Sequence, residues 1–250
     1  MRKLAILLFF FVSINTLAQN TDDLFSTANS LYKEGNYEEA VKLYEQIQSQ
    51  DLVSSELYYN LGNCYYKLNK VAPTIYNYEK ALKLNPLNED AKNNLVLAKR
   101  LTLDRIEALP KSVFKKFNEN YLQKLAYNTW AIVTVIISFI ASVFFLLFYF
   151  AYTPSKKRLY FTTSIISFLL LISSLVVTYT QYNQSKNTVE AIVFSEIVSV
   201  SNEPTNNSDE VFTLHEGTKV LVLDSVDNWK KIKLADGKIG WTQSENLKEL

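Results

Sequence analysis

The clearest pattern along the chain is an apolar central region without charge, which a short basic segment divides in two. Residues 125–155 and 159–185 contain no Asp, Glu, Lys or Arg, and Lys156, Lys157 and Arg158 lie between them. A helix that spans the hydrocarbon core of a bilayer needs about 20 mostly apolar residues. Because each stretch exceeds that length, the pattern predicts two transmembrane helices that form a tight hairpin.

The predicted hairpin has its first helix at 129–152, its second at 159–181 and a cytoplasmic loop at 153–158. Neither helix contains a charged residue or a histidine. Transport and proton relay usually need ionisable groups inside the membrane, so this pattern favours an anchor. Short loops rich in Lys and Arg stay in the cytoplasm. The basic loop therefore predicts that the regions before and after the hairpin lie outside the cytoplasm.

The N-terminus predicts export independently of the hairpin. Met1–Lys3 is a short basic region, residues 4–12 form an apolar core, and Thr16–Ala18 is a small-x-small cleavage site. An apolar core this short is typical of a secretory signal peptide, here over residues 1–18. The alternative is an uncleaved anchor, which would export the same regions.

Between the signal peptide and the hairpin, aromatic and aliphatic residues recur at helical spacing, and the pattern repeats. Ala28–Lys33 aligns with Gly62–Lys67 at an offset of 34 residues, and the same offset pairs Tyr44 with Tyr78. Small residues at fixed positions allow two helices to approach closely, while tyrosines and leucines fill the space between them. The spacing predicts two helical hairpins, at 21–54 and 55–88.

The second copy carries a recognisable motif. It contains, in order, Tyr58, Leu61, Gly62, Tyr65, Tyr78, Ala81 and Pro86. This pattern resembles the tetratricopeptide repeat (TPR), a helical hairpin that stacks into arrays. Leu95 and Leu101 continue the helical spacing over 89–105 and predict a closing helix, so that the repeat region covers 21–105. Residues 106–126 mix lysines with aromatic residues and predict either an interfacial juxtamembrane segment or a polar linker.

Repeats of this kind bind peptides on the concave surface lined by the first helix of each hairpin. The resemblance places eight residues on that surface: Phe25, Asn29, Tyr32, Lys33, Tyr59, Asn63, Tyr66 and Lys67. An Asn four residues before a Lys occurs in both copies, and such a pair could hold a peptide carboxylate through charge-assisted hydrogen bonds. The alternative is that these residues are common in the repeat and bind no carboxylate.

After residue 188 the apolar pattern changes to period two, in short runs separated by turn signals. Six such runs predict strands within 189–250, at 191–194, 197–200, 210–214, 219–223, 229–234 and 238–241, with Asp236-Gly237 as a hairpin turn. The final turn and the Gly240-Trp241 pair resemble a bacterial SH3-like domain, which implies a small all-β barrel. The alternation predicts that Trp241 lies in the core and that Trp229 lies exposed as a ligand platform. The alternative is a Trp229 that packs at the edge of the domain.

Composition excludes several classes of protein. The net charge of +1 is unlike that of a dedicated nucleic-acid-binding protein, so no nucleic acid is expected as a partner. One cysteine, Cys64, and one histidine, His215, exclude an intramolecular disulfide and multi-histidine metal sites. Five widely spaced glycines cannot build a phosphate-binding loop. We therefore expect a protein without catalytic residues, metal ligands or cofactors.

The predicted architecture is multidomain, with all-α TPR hairpins, a two-helix transmembrane hairpin and a small all-β SH3-like barrel. A signal peptide followed by these three modules in this order resembles the BatE family of the Bacteroidetes aerotolerance operon. The resemblance covers the whole chain and rests mainly on the order of the modules.

The resemblance implies a non-catalytic scaffold in the bacterial inner membrane, with two passes and with both binding modules in the periplasm. The implied partners are von Willebrand A-domain Bat membrane proteins, a MoxR-type ATPase system and inner-membrane lipid. The implied process is aerotolerance or envelope stress. The alternative is a cell-wall sensor or recruiter whose SH3-like domain binds peptidoglycan.

Overall fold

The computed structural model describes residues 21–250, which form two compact units. The repeat–sheet unit contains residues 21–84, Asn88–Ala108 and Glu190–Leu250. The hairpin unit contains Asn85–Leu87 and Leu109–Val189. The predicted signal peptide lies outside the described residues.

The first part of the repeat–sheet unit consists of five helices. They are α1 over 21–34, α2 over Tyr37–Gln48, α3 over Ser55–Lys67, α4 over Val71–Leu84 and α5 over Glu89–Ala98. The predicted helical hairpins are thereby confirmed as the pairs α1–α2 and α3–α4.

The ends of these helices repeat with the same 34-residue period as the sequence. The side chains of Ser54 and Asn88 cap α3 and α5 by accepting hydrogen bonds from backbone N–H groups three residues later. Gly35 and Asn69 end α1 and α3 with positive φ angles of 86° and 57°. Glycine and asparagine adopt this left-handed conformation most readily, so the sequence fixes where each helix stops.

Small residues set the distance between the paired helices. Ala28, Ala40 and Ala81 are fully buried in the repeat core. Gly62 lies so close to Tyr78 that a Cβ atom there would come within 2.6 Å of the aromatic ring. Tyr78 can therefore pack flat against α3 only because residue 62 has no side chain.

The predicted closing helix is shorter than expected. It ends at Ala98 rather than at Arg105, and residues 102–112 are not helical. The helical pattern extends beyond Ala98, but Asp104 instead hydrogen-bonds to the C-terminal sheet. Those tertiary contacts outweigh a weak helical preference in this segment.

The second part of the repeat–sheet unit is an antiparallel sheet of seven strands. They are β1 Val189–Val193, β2 Ile197–Ser201, β3 Glu210–His215, β4 Lys219–Val226, β5 Trp229–Lys233, β6 Ile239–Gln243 and β7 Leu247–Glu249. The strands follow the spatial order β3-β2-β6-β5-β4-β1-β7. The predicted small β domain is confirmed, although its sheet stays open, with β3 and β7 as edges. The pattern predicted the first six strands and missed β7.

The hairpin unit is dominated by two long apolar helices, α7 over Tyr127–Phe150 and α8 over Pro154–Asn187. Their 24 and 34 residues correspond to about 36 Å and 51 Å, which is enough to span a bilayer. Helix α8 already begins at Pro154, so it contains the predicted second span at 159–181 together with most of the segment predicted as a cytoplasmic loop. Proline is well suited to the first helical position, where its missing N–H leaves no bond unmade.

The two long helices pack through small and polar residues at seven-residue spacing. Thr134 and Ala141 are buried on α7, and Ser167, Ser174 and Gln181 are buried on α8. The hydroxyl groups of Thr134 and Thr178 lie 3.0 Å apart. Small residues allow close contact between apolar helices, as in membrane helix pairs.

Candidate protein-binding groove

The first candidate site is a polar ladder that connects α1, α3 and α5 across the repeats. The side-chain oxygen of Asn29 accepts hydrogen bonds from the Tyr44 hydroxyl at 2.6 Å and from the Asn60 amide at 2.9 Å. Asn29 therefore links both helices of the first repeat to the first helix of the second.

The same arrangement recurs one repeat later. The side-chain oxygen of Asn63 accepts hydrogen bonds from the Tyr78 hydroxyl at 2.7 Å and from the Asn94 amide at 3.0 Å. Because Asn94 lies on α5, this helix takes the position of the first helix of a third repeat. The ladder thus runs along the whole array with a period of 34 residues.

The ladder determines what the two asparagines can offer a ligand. An amide oxygen accepts about two hydrogen bonds, and the ladder occupies both on Asn29 and on Asn63. Each residue then has only its amide N–H groups left for a ligand. Lys33 and Lys67 follow on the same helices with exposed side chains. We call this surface the donor groove, and it consists of the Asn29 and Asn63 amides, the Lys33 and Lys67 side chains and the exposed Tyr66. It suits a ligand rich in hydrogen-bond acceptors.

The predicted aromatic residues divide into packed and free ones. Phe25 contacts the Tyr44 ring edge-on at 5.7 Å, and Tyr59 contacts the Tyr78 ring at 6.1 Å. These residues and Tyr32 pack against the repeat core and are partly buried. Tyr66 is exposed. Of the eight predicted residues, Lys33, Tyr66 and Lys67 are therefore the ones most accessible to a ligand.

Burial keeps the titratable groups beneath the groove neutral. It raises the pKa of the Tyr44 and Tyr78 hydroxyls, so both remain hydrogen-bond donors. It also raises the pKa of the fully buried Cys64 thiol to about 12. A thiol of this kind is not a nucleophile near neutral pH.

Sequence reasoning missed Asn60 and Asn94, which complete the ladder. Their 34-residue separation was the available signal, because it matches the separation of Asn29 and Asn63. The sequence predicts Asn29 and Asn63 as groove residues but does not reveal that neighbouring amides occupy their oxygens.

A second cluster joins the helices to the sheet, and we call it the charged junction. The Glu79 carboxylate on α4 accepts hydrogen bonds from Lys219 at 2.9 Å and from Lys99 at 2.8 Å, and Lys219 also pairs with Glu190 at 2.8 Å. Burial alone would raise the pKa of Glu79, but Lys219 and Lys99 outweigh that effect and lower it. Ile192 packs beside these groups against Ile75 and Ala72 in a shared core.

The junction continues through Asp104. Its carboxylate accepts hydrogen bonds from the His215 backbone at 2.7 Å and from the Thr218 hydroxyl at 2.6 Å, and it lies 2.8 Å from Nδ1 of His215. Burial would raise the pKa of Asp104, but these bonds outweigh it and lower that pKa. The only histidine thus has a structural role between two parts of one unit.

The predicted ligand platform on the sheet differs from expectation. Trp241 is buried, with 9% of its surface exposed, as predicted. Trp229 is partly buried rather than exposed. The register pairs Lys231 with Trp241 and Trp229 with Gln243, so both tryptophans lie on one face of the sheet. The exposed position predicted for Trp229 is therefore wrong, and its role as a ligand platform stays a prediction.

Within residues 21–250, no group of three or more His, Cys, Asp or Glu side chains is arranged to hold a metal ion. Comparison with known proteins finds tetratricopeptide repeats at residues 24–51 and 55–88. No curated protein matches the chain. The chain therefore contains two tetratricopeptide repeats, which constitute a protein–protein interaction module.

Proposed function

We propose that this protein is a non-catalytic inner-membrane adaptor that presents the donor groove and the β domain to the periplasm. Its partners would be von Willebrand A-domain Bat membrane proteins and, through them, a MoxR-type ATPase system. The process would be aerotolerance or envelope stress. This proposal combines the repeat module, the two apolar helices and the resemblance in module order.

The donor groove is the observation that carries the proposal. Asn29 and Asn63 keep amide N–H groups for a ligand, and Lys33 and Lys67 add positive charge four residues further on. An extended segment of a partner supplies main-chain carbonyl oxygens, and acidic side chains or a terminal carboxylate supply negative charge. Charge-assisted bonds of this kind are about twice as strong as neutral ones.

Site-specific photo-crosslinking in intact cells tests the adaptor proposal. A photoreactive amino acid at Tyr66, in the donor groove, should capture a von Willebrand A-domain membrane protein. The same amino acid at the exposed Glu38 on α2 is the matched control and should not capture it. Equal capture at both positions, or capture at Tyr66 that persists when Lys33 and Lys67 are both replaced by Gln, would contradict groove binding.

The membrane part of the proposal rests on α7 and α8. Three basic residues, Lys156, Lys157 and Arg158, lie near one end of this hairpin, and five, Lys111, Lys115, Lys116, Lys124 and Lys186, lie near the other. The distribution of positive charge therefore does not by itself favour a cytoplasmic position of the turn. The predicted signal peptide is the stronger argument for a periplasmic position of the repeats.

Topology can be measured with single cysteines. Cys64 is fully buried, so a Cys64→Ala background is not required for labelling in the folded state. Ser155→Cys near the tight turn and Glu38→Cys on α2 should respond oppositely to a membrane-impermeant maleimide added to spheroplasts. Labelling at residue 38 alone supports the proposal, and labelling at residue 155 alone would show that the protein has the opposite orientation in the membrane.

A second candidate function is peptidoglycan binding by the β domain. Its supporting observation is the face on which Trp229 and Lys231 lie beside Trp241, with Lys231 Nζ 5.6 Å from the Trp241 ring centre. Aromatic rings and cations together can hold a sugar with an acidic peptide. Sedimentation of the detergent-solubilised full chain with purified sacculi tests it. Loss of sedimentation in a Trp229→Ala variant supports this function, and no sedimentation of the parent excludes it.

A further inference from the structure

The segment that leads into α7 carries an amphipathic helix. Helix α6, Val113–Phe117, continues into a π-helix, Asn118–Leu122, and the Ser112 side chain caps its start. Four apolar side chains on this helix are largely exposed: Val113 (80%), Phe114 (88%), Phe117 (54%) and Tyr121 (63%). Their spacing places Phe114, Phe117 and Tyr121 along one side.

Lysines flank this apolar side. Residues 109–126 contain four lysines, at 111, 115, 116 and 124, against a single acidic residue, Glu119. Lys111 pairs with Glu119 at 2.6 Å, so the two charges offset each other. Within the described part of the chain, Lys115, Lys116 and Lys124 form no ion pair. Three unpaired cations therefore accompany four exposed apolar side chains.

Hydrogen bonds attach this helix to one end of the membrane hairpin. The Asn118 side chain accepts a hydrogen bond from the Gln181 amide of α8 at 3.0 Å. The Trp130 indole of α7 donates a hydrogen bond to the Leu122 carbonyl at 2.8 Å. Tyr127 packs edge-on against Tyr182 at 5.8 Å in the same region. Tryptophan and tyrosine prefer the boundary between hydrocarbon and headgroups, which sets the depth of the helix.

We propose that residues 112–124 form an interfacial site for anionic phospholipids. The exposed Phe114, Phe117 and Tyr121 insert at the boundary of the acyl chains, and Lys115, Lys116 and Lys124 bind phosphate-bearing headgroups with net negative charge. This inference rests on the proposed membrane anchoring and adds the lipid class. The charge excess argues for anionic lipids, because an uncharged surface would gain nothing from three lysines.

Lipid enrichment in reconstituted membranes tests the charge requirement. The full chain is reconstituted into vesicles of equal parts phosphatidylglycerol and phosphatidylcholine, extracted mildly, and its bound lipids are counted by native mass spectrometry. The parent should retain phosphatidylglycerol preferentially. A triple variant, Lys115→Gln, Lys116→Gln and Lys124→Gln, should lower that preference on the order of a hundredfold, since each of the three lysines near an anionic surface contributes about 1 kcal/mol.

The matched control removes the same charge outside this segment, by Lys42→Gln, Lys70→Gln and Lys92→Gln, three exposed lysines on or beside the helices of the repeat–sheet unit. It should keep the parent's lipid preference. Equal retention of phosphatidylglycerol by the parent and the Lys115/Lys116/Lys124 variant would overturn the lipid site. Failure of the parent to enter vesicles would instead overturn the membrane anchoring, so the two failures are distinguishable.

The depth of the helix is a second, independent measurement. Spin labels at Phe114→Cys and Lys116→Cys report collisions with oxygen, which partitions into the bilayer, and with a water-soluble nickel complex. Residue 114 should favour oxygen and residue 116 the nickel complex. Identical water exposure at both positions would contradict the inserted helix, and the experiment changes only one of the three lysines.

Discussion

Two consecutive residues of α4, Tyr78 and Glu79, show how differently the two sides of the repeat array are built. Tyr78 donates a neutral hydrogen bond to Asn63 in the donor groove, and Glu79 accepts two ionic bonds in the charged junction. The neutral ladder leaves amide N–H groups and lysines available to a ligand. In the junction, the charged side chains of Glu79, Lys99, Lys219 and Glu190 form ion pairs with one another.

This difference indicates that the two sides have different roles. A closed set of ion pairs around a mostly buried carboxylate leaves little for a ligand to bind, so we interpret the junction as structural. The sheet also covers α4, where a third repeat would supply its own packing. The two repeats are followed by α5, which takes the position of the first helix of an incomplete third repeat. The end of the array would therefore stay exposed, and the sheet takes the place of the missing capping element.

The largest expected effect comes from opening the charged junction. Glu79→Ala removes the main partner of Lys219 and should lower the free energy of unfolding of the repeat–sheet unit by about 3 kcal/mol, since an unpaired buried charge is costly. Urea unfolding followed by circular dichroism measures it. Adding Lys219→Met should restore much of the loss. A loss below about 1 kcal/mol in the single variant would show that the junction contributes little.

Acid should remove part of the same stabilisation without any substitution. The pKa values of Glu79 and Asp104 are lowered from their ordinary 4.5 and 3.8, so their stabilisation is complete above those values and is lost as the pH falls below them. Unfolding curves at pH 7 and pH 3 measure this loss. The Glu79→Gln variant should show a weaker pH dependence, and an unchanged dependence would assign the effect to other carboxylates.

A smaller effect is expected at the other part of the junction. Asp104→Asn removes the charge that accepts bonds from His215 and Thr218 and should cost about 2 kcal/mol. The matched control is Glu107→Gln, an exposed carboxylate three residues away, which should change stability by less than about 0.5 kcal/mol. Equal effects of the two variants would mean that the segment is not held through Asp104.

The sequence was sufficient to predict the helices but not the junction. Caps at Ser54 and Asn88 and turns at Gly35 and Asn69 repeat every 34 residues, so residues close in sequence determine where these helices begin and end. The bond between Glu79 and Lys219 joins residues 140 positions apart, and no local pattern reports such a contact. For the same reason the end of α5 was placed too late, because Asp104 is held by the distant sheet.

The sheet shows the same division between local and distant information. Period-two runs predicted β1 to β6, but β7 has three residues, too few for an alternation to be visible. The face of Trp241 was assigned from its own strand. Trp241 pairs with Lys231 across the strands, and this pairing places Trp241 on the same face as Trp229. It depends on the register between β5 and β6, which cannot be predicted from the sequence of one strand.

The donor groove offers a test of its ladder. Tyr44→Phe and Asn29→Ala each remove one side of the same hydrogen bond, and their combined effect should fall short of the sum by about 1 kcal/mol. Tyr44→Phe combined with Asn63→Ala is the control, because these residues belong to different steps of the ladder and should add independently. Equal coupling in both pairs would contradict two separate steps.

The smallest effect on stability, and the most direct test of groove function, involves Lys33 and Lys67. Both side chains are exposed and belong to no ion pair in residues 21–250, so replacing both by Gln should change the free energy of unfolding by less than about 0.5 kcal/mol. Capture of an acceptor-rich partner by a photoreactive residue at position 66 should nevertheless fall several-fold. The junction variant Lys219→Met should have the reverse profile, with a clear loss of stability and unchanged capture at temperatures where it stays folded. If both variants changed stability and capture together, the groove and the junction would not have separate functions. Tyr78 and Glu79 would then differ in the kind of bond they form and not in the role of the side on which they lie.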